Sequence, residues 1–259
     1  RKRLDADREE CRFRLMQLGH LPEMYAVKTA GLKPGESLGP DVPRAIPPGT
    51  VPNPALPPDQ RLSYVCDILP FLSQTALDTS ELSAKFDRTK GWEAPPNREA
   101  STTRLNLFVI PGALPDMPDG EPAPTQFVGL SGIGPDSATL SVTGNIPARA
   151  GCFRYDTPTS LDLIREQDGL STTFLFAETA NELGPWIRGG FSTIRGLDVG
   201  TGAKPPLGRG GQFGGNFPGV VGFGWADGSA KFVRQDMNLA ILRAHFTIAG
   251  GENEGIPGE

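Results

Sequence analysis

Acidic residues near the ends of predicted strands are the side chains best placed for chemistry in this sequence. They are Asp162, Asp168, Glu178 and Asp227. Two facing carboxyl groups are the catalytic pair of most glycoside hydrolases. Oxygen-rich loops could instead bind calcium, although no EF-hand-like spacing of acidic residues occurs. Asp168, Glu178 and Asp227 are therefore candidates for a calcium site or a hydrolytic carboxylate pair, with a purely structural role as the alternative.

Asp227 has such a structural alternative as the corner of a hairpin in the stretch GVVGFGWADGSAKFV. Asp-Gly is a favoured pair for a two-residue type I′ turn. If Asp227 and Gly228 form that turn, Phe223 faces Phe232 across the hairpin, and both share a core face with Trp225. A turn Asp tolerates positive φ and can bond its own backbone. We expect Asp227 to hold a turn.

The other face of this hairpin is almost bare. Gly222 and Gly224 share it with Lys231 and Val233 in the predicted pairing. Because glycine has no side chain, another backbone element can approach this face closely.

Nucleophilic and phosphate-binding chemistries are not indicated. The sequence has only His20 and His245, neither in a nucleophile-elbow context, and this count excludes a histidine-rich metal site. The glycine-rich stretch GRGGQFGG lacks the Gly-Lys-Ser/Thr ending of a phosphate-binding loop. Trp92 and Trp186 lie in predicted loops, where we expect them to anchor the loops rather than form a carbohydrate platform.

Composition places the chain among globular proteins with many turns. It has 259 residues, 37% hydrophobic and 21% charged, with 33 glycines and 26 prolines. The net charge of −5 gives no electrostatic attraction to nucleic acid. No apolar run reaches the roughly 18 residues of a membrane-spanning helix. Cys11, Cys66 and Cys152 match no zinc pattern, which leaves one disulfide with a free thiol, or three buried thiols.

Four segments are predicted along the chain. Residues 1–30 form a helix that ends or bends near Gly19 and Pro22, and residues 31–60, with nine prolines, form an extended connection. Residues 61–250 form a β-rich head, and residues 251–259 form a glycine-rich, acidic tail. The apolar stripe of the helix consists of Leu4, Cys11, Leu15 and Leu18.

Within the head, the strongest strand patterns are 125–132 and the β-rich run 172–176, and residues 105–110 also read as a short buried strand. The remaining expectations are a helix or strand before Pro70, a helix after it, a glycine-rich loop over 187–218, and an amphipathic helix over 236–246 with Asp236 as N-cap.

Four stretches in order resemble a known family. They are CRFRLMQLG (11–19), LSYVCDILPFLSQTAL (62–77), DGLSTTFLFAET (168–179) and FGWADGSAKFV (223–233). Together they resemble the planctomycete-type prepilin-like family of unknown function, whose C-terminal signature is His-x9-Asp-Gly. Two positions depart from its pattern: Phe217 stands where the signature histidine is expected, and Ile110 stands where a Cys-Pro cysteine is expected.

The resemblance implies an α+β, type IV pilin-like fold, in which an N-terminal helix packs on an antiparallel sheet with long Gly/Pro-rich loops. It also implies export through the inner membrane, prepilin processing and N-terminal methylation, and a place in a pseudopilin-like filament or secretion-related assembly. The hydrophobic half of the helix is then expected upstream of Arg1. No catalytic activity or cofactor is implied.

We therefore expect a non-enzymatic structural protein of the bacterial cell envelope or surface, initially anchored in the inner membrane. Its partners are expected to be copies of itself or related pilin-like subunits, contacted through the helical stripe, and not nucleic acid. A surface module that binds glycan or calcium is the first alternative. A carboxylate-dependent hydrolase is the second.

Overall fold

The structure is a computed structural model that describes residues 2–33, 36–72, 79–114 and 118–251. The helices are α1 (Lys2–Gly19), α2 (Leu21–Thr29), α3 (Val65–Ile68), α4 (Thr79–Ala84), α5 (Asn97–Ala100), α6 (Leu161–Glu166) and α7 (Leu239–Phe246). The strands are β1 (Ala45–Ile46), β2 (Phe127–Ile133), β3 (Thr159–Ser160), β4 (Phe174–Glu178), β5 (Ile194–Leu197), β6 (Val220–Trp225) and β7 (Ala230–Arg234). Short 3₁₀ turns lie between them.

The central sheet has five strands in the order β5-β2-β4-β6-β7. The pairs β2/β4, β4/β6 and β6/β7 are antiparallel, whereas β5 runs parallel to β2. The chain is thus mixed α+β as expected, but its sheet is mixed and not purely antiparallel. The difference comes from β5, which lies inside the stretch 187–218 that the sequence predicted as loop. With four residues, one of them glycine, β5 is too short to show a periodic pattern.

The N-terminal helix bends where the sequence predicted. α1 ends at Gly19, His20 adopts φ −81° and ψ 4°, and α2 begins at Leu21 with Pro22 in its first turn. Proline suits a first turn because it has no N–H to contribute there.

α1 lies across the sheet with its predicted apolar stripe turned inward. Cys11, Leu15 and Leu18 are at most 1% exposed, and Leu4 is half-buried against the same core. The helix rests on the bare face of β6, since the Leu15 carbonyl oxygen lies 3.4 Å from the point where a Cβ on Gly224 would be. The expected close approach to the glycine face is confirmed.

The β6–β7 hairpin has a different register from the one predicted. Phe223 faces Lys231 and Phe232 faces Gly222, so the predicted Phe223–Phe232 pair is wrong. The cause is a three-residue loop: the Trp225 N–H donates to the Ser229 carbonyl at 2.8 Å. Gly228 takes φ +84° at its end, as in a type I turn followed by a glycine bulge.

This register places the two aromatic residues on opposite faces of the sheet. Phe232 lies on the α1 side, where its ring meets that of Phe217 with centroids 5.2 Å apart. Phe223 and Trp225 lie on the other side with α7, and Phe223 stacks on Phe174 at 4.1 Å. Trp225 is a core residue as predicted.

The stabilising cap of α7 differs from the predicted one. Its N-cap is Asn238, whose side chain accepts the Ala240 N–H at 2.8 Å. Asp236, the predicted N-cap, instead pairs with Arg234 at 2.6 Å. Both residue types favour the N-cap position, so the sequence alone did not distinguish them.

The proline-rich segment 31–60 is packed onto the head. Its strand β1 pairs with β3, and Ile46 and Val51 are buried. The Gly49 N–H donates to the Arg154 carbonyl at 2.6 Å. The described part of this segment therefore belongs to the core and is more than a connection.

Two other predicted elements have different outcomes. The expected strand at 105–110 contains a 3₁₀ turn, Asn106–Phe108, and forms no strand. α3 precedes Pro70 as one of the two expected alternatives. The helix predicted after Pro70 falls largely on residues 73–78, which lie outside the described residues, as does the predicted tail beyond Gly251.

The glycine face under α1 yields a matched pair of substitutions. A Cβ on Gly222 would lie 3.1 Å from Leu15 Cδ1 and 3.2 Å from Cys11 Sγ, whereas a Cβ on Gly224 meets nothing closer than 3.4 Å. We expect Gly222→Ala to lower the free energy of unfolding by about 1–3 kcal/mol through overpacking. Gly224→Ala should stay within about 1 kcal/mol of the parent. Urea denaturation measures both, and equal losses for the two variants would contradict the described packing.

Candidate functional site

The stripe that the sequence assigned to assembly is not available on the surface. Cys11, Leu15 and Leu18 pack into the chain's own core on the sheet, and Leu4 is half-buried beside them. A contact between subunits through these side chains would require α1 to leave the sheet. The assignment of this stripe to intermolecular contact is therefore corrected: it anchors α1 within the chain.

The opposite side of α1 carries an exposed apolar pair. Phe13 is 55% exposed and Met16 is 40% exposed, one helical turn apart. With Ala6, Glu9, Glu10 and Arg12 these two residues line a shallow groove of about 440 Å³, and we call this set the outer α1 surface. The other exposed large apolar residues in the described part of the chain lie on three different segments: Phe191, Val199 and Leu239. Contiguous exposed apolar patches rimmed by polar residues mark contact surfaces, and this pair is the candidate centre of such a patch.

The rim of the outer α1 surface contains both charges. Arg12 pairs with Glu9 at 2.6 Å, and Arg14 pairs with Glu10 at 2.8 Å. The Arg12–Glu9 pair is exposed, so it contributes little to stability. Its exposed charged groups remain free to exchange partners with a bound surface of mixed charge.

The sequence contained a signal for this surface that the predicted stripe hid. Phe13 and Met16 are three residues apart, the spacing of neighbours on one helix face, but Phe13 stands between two arginines and Met16 stands next to Leu15 of the stripe. The stripe of Leu4, Cys11, Leu15 and Leu18 predicts a buried helix face, but the spacing does not show whether the covering surface belongs to the same chain.

Asp227 holds the hairpin corner as predicted. Its carboxylate oxygen Oδ1 accepts the Ser229 N–H at 2.9 Å, and Gly228 follows with positive φ. The Ala226 N–H donates to the Thr173 carbonyl at 2.9 Å, which ties this corner to the start of β4.

Asp168 fastens the end of the described chain. Its two carboxylate oxygens accept the N–H groups of Gly250 and Gly251 at 2.7 and 3.1 Å. These bonds use the oxygens that a cation would need. Asp162 is exposed and pairs with Arg165 on α6.

Glu178 is buried between the sheet and α1. It is 0% exposed, its Oε2 accepts the side-chain amide of Asn216, and its Oε1 has no hydrogen-bond partner among the described residues. Burial raises the pKa of this carboxyl to about 7, and hydrogen bonds from Asn216 and the backbone of Gly222 oppose the rise. At neutral pH the group is therefore close to the midpoint of its titration.

The three candidate carboxylates do not form one site. Asp227 lies at the start of β4 and Glu178 at its end, about 15 Å away along a strand of this length. Within the described ranges, no three His, Cys, Asp or Glu side chains converge in a metal-binding group.

The structure also shows where the tryptophans and the cysteines lie. Trp186 is fully buried and donates its indole N–H to the Thr103 carbonyl at 2.8 Å, so it anchors its loop as expected. Trp92 is half-buried under the guanidinium of Arg188, 5.6 Å from the ring centroid. Cys11, Cys66 and Cys152 are three separate buried thiols, the second of the two alternatives.

No family model matches the sequence, and no curated protein or solved structure shows significant similarity to it. In the described part of the chain, no helix has the length and apolar character needed to cross a membrane.

Asp168 provides a test of the calcium alternative. Because both of its oxygens bind backbone N–H groups, we expect free calcium at about 10 mM, above the range of weak extracellular sites, to leave the melting temperature unchanged. Asp168→Asn should lower the free energy of unfolding by about 1 kcal/mol with or without calcium. Differential scanning calorimetry measures both effects, and a calcium-dependent rise that Asp168→Asn abolishes would support the calcium site instead.

Proposed function

We propose that this chain is a non-enzymatic, pseudopilin-like structural subunit that associates with copies of itself or related subunits through the outer α1 surface. The observation that carries the proposal is the exposure of Phe13 and Met16 on a helix whose other side is fixed to the sheet. The backbone of a helix that is already fixed to the sheet loses little conformational freedom when its outer side is covered.

The architecture supports the pilin-like part of the proposal. An N-terminal helix lies across antiparallel strands β4, β6 and β7, and the rest of the chain forms a Gly/Pro-rich head around the sheet. This arrangement agrees with the one that the resemblance of the four sequence stretches implies. The pilin-like assignment of the fold is part of the proposal, and the parallel strand β5 is an addition to the expected pattern.

The placement of the acidic residues supports a structural role over a catalytic one. Asp168 and Asp227 bind backbone N–H groups, and Glu178 is buried under α1 at the other end of β4. Paired catalytic carboxyl groups of glycosidases stand about 5–10 Å apart and face a common cleft. Glu178 is buried and lies about 15 Å from Asp227 along β4, so these two residues have neither the exposure nor the spacing of such a pair.

On this proposal the protein is exported, processed as a prepilin and first anchored in the inner membrane, so that it belongs to the cell envelope or cell surface. An apolar helical segment then continues α1 upstream of Arg1 in the complete gene product. Reading the residues that precede Arg1 tests this part separately, and a polar segment there would contradict it.

Met16 and Val199 form a matched pair for testing the contact surface, because each is 40% exposed. We expect Met16→Glu to weaken self-association of the complete gene product by roughly tenfold or more, since a buried carboxylate would face an apolar contact. Val199→Glu should leave association unchanged. Sedimentation velocity measures the effect, and circular dichroism checks that both variants fold. Equal behaviour of the two variants, or a monomeric parent at high concentration, would rule out this surface.

A further inference from the structure

The interface between α1 and the sheet contains an ionisable group that the proposed function does not use. Glu178 lies on β4 beside Gly222, and a Cβ on Gly222 would be 3.2 Å from both Glu178 Cγ and Cys11 Sγ. The carboxyl of the sheet and the thiol of the helix therefore meet over the same glycine. Both are 0% exposed.

The polar contacts to this carboxyl come from uncharged groups, the side chain of Asn216 and the backbone of Gly222. Asn216 donates to Oε2, and Asn216 is itself held by Gln126, whose Nε2 donates to the Asn216 Oδ1 at 2.9 Å. Gln126 is fixed in turn, since its Oε1 accepts the Ile110 N–H at 2.6 Å. Oε1 of Glu178 is buried and has no hydrogen-bond partner among the described residues.

Among the described residues, no positively charged side chain is paired with Glu178. From α1 it meets the Cys11 thiol, whose pKa is raised by burial and then by Glu178 itself. Two arginines of α1 contact other groups: Arg14 pairs with Glu10 and donates to the Asn106 carbonyl. Arg8 lies over the Phe232 ring and donates through Nη2 to the Pro218 carbonyl, while its buried Nε has no partner among the described residues.

The other described neighbours of the carboxyl are uncharged. β6 presents Gly222, β2 presents Phe127 as the register partner of Glu178, and the 216–217 segment presents the neutral Asn216. In the described structure, no Lys or Arg forms an ion pair with Glu178. A negative charge at Glu178 would thus be buried without a counter-ion, which is unfavourable until water reaches it.

We propose that the docking of α1 on the sheet is a pH-dependent switch, in which deprotonation of Glu178 loosens α1 and exposes Cys11. The element that moves is the N-terminal helix, which joins the head at the Gly19–His20 bend. Moving α1 away is the simplest way to give Glu178 access to water, because α1 is what covers the carboxyl on that face of the sheet.

The sign of the effect follows from the folded-state titration. Burial under α1 raises the pKa of Glu178 from its ordinary value of 4.5 to about 7, so the docked state favours the proton. Docking is therefore strongest below about pH 4.5 and weakens as the pH rises toward 7 and above it. Between about pH 5 and pH 8 the equilibrium for releasing α1 should rise roughly 50- to 100-fold.

Alkylation of the three buried cysteines by iodoacetamide, read residue by residue by mass spectrometry, tests the switch. Each rate is divided by the rate of the same cysteine in the urea-unfolded chain at the same pH, which removes the intrinsic pH dependence of thiolate attack. We expect the protection of Cys11 to be roughly 50- to 100-fold lower at about pH 8 than at about pH 5. Cys66 and Cys152, buried on other elements, should stay protected.

Two variants separate Glu178 from other causes. Glu178→Gln keeps the shape without the charge and should hold Cys11 equally protected at both pH values. Asp168→Asn, in the segment between α6 and β4, removes a carboxylate at a small cost in overall stability and should keep the parent's fall in Cys11 protection between the two pH values. If Cys11 protection in the parent is independent of pH or increases with it, the proposal is wrong. It is also wrong if all three cysteines become reactive together, because that result indicates global unfolding. Both of these contradicting outcomes are measured on the unsubstituted protein, so the test stays decisive even if Glu178→Gln does not fold.

Discussion

The contact of α1 with two side-chain-free positions of β6 is the constraint on which the rest of the structure depends. Gly222 and Gly224 let the helix backbone approach the strand, and the Leu15 carbonyl reaches 3.4 Å from the Cβ position of Gly224. A second close approach fixes the end of the helix, where a Cβ on Gly19 would lie 2.6 Å from the Gly228 Cα. These contacts set the depth at which α1 sits, and that depth buries Glu178 and Cys11 beneath it.

The loop-rich head needs another way to satisfy its buried carbonyl groups, because few of them are paired in strands. Two buried arginines provide it. Arg195 donates to the carbonyls of Phe191, Asn181 and Glu182 at 2.7–3.1 Å, and Arg154 donates to those of Gly151 and Pro158. Burial lowers the pKa of each to about 10, so both remain charged at neutral pH. Guanidinium groups thus satisfy buried backbone oxygens that a chain rich in glycine and proline cannot pair in a sheet.

The features that local patterns determine were predictable from the sequence. The bend near Gly19, strands β2 and β4, and the turn role of Asp227 all follow from residue type and spacing. The bare face of β6 was predicted correctly despite the wrong register, because Gly222 and Gly224 are two residues apart and share a face in any pairing. Which residues face them depends on the length of the loop, and a two-residue and a three-residue loop were both compatible with the Asp-Gly pair.

The features that depend on distant parts of the chain could not be predicted in this way. Glu178 carries no sequence signal of burial, since its position under Cys11 arises only when α1 docks on β6. The direction of the α1 stripe is similar: a row of apolar residues predicts a buried face, but not whether the covering surface belongs to the same chain. The parallel strand β5 and the packing of the proline-rich segment likewise come from pairing partners far away in sequence.

The two sides of α1 are physically linked. Successive helical residues are rotated by about 100°, so burying Leu15 and Leu18 turns Phe13 and Met16 outward. A subunit that covers the outer surface of docked α1, and not of released α1, would stabilise docking by mass action. Thermodynamic reciprocity then requires that the same contact hold the proton on Glu178 more tightly, and that deprotonation weaken the contact by an equal factor. A buried carboxyl on one side of a helix can therefore control an apolar surface on its other side without touching it.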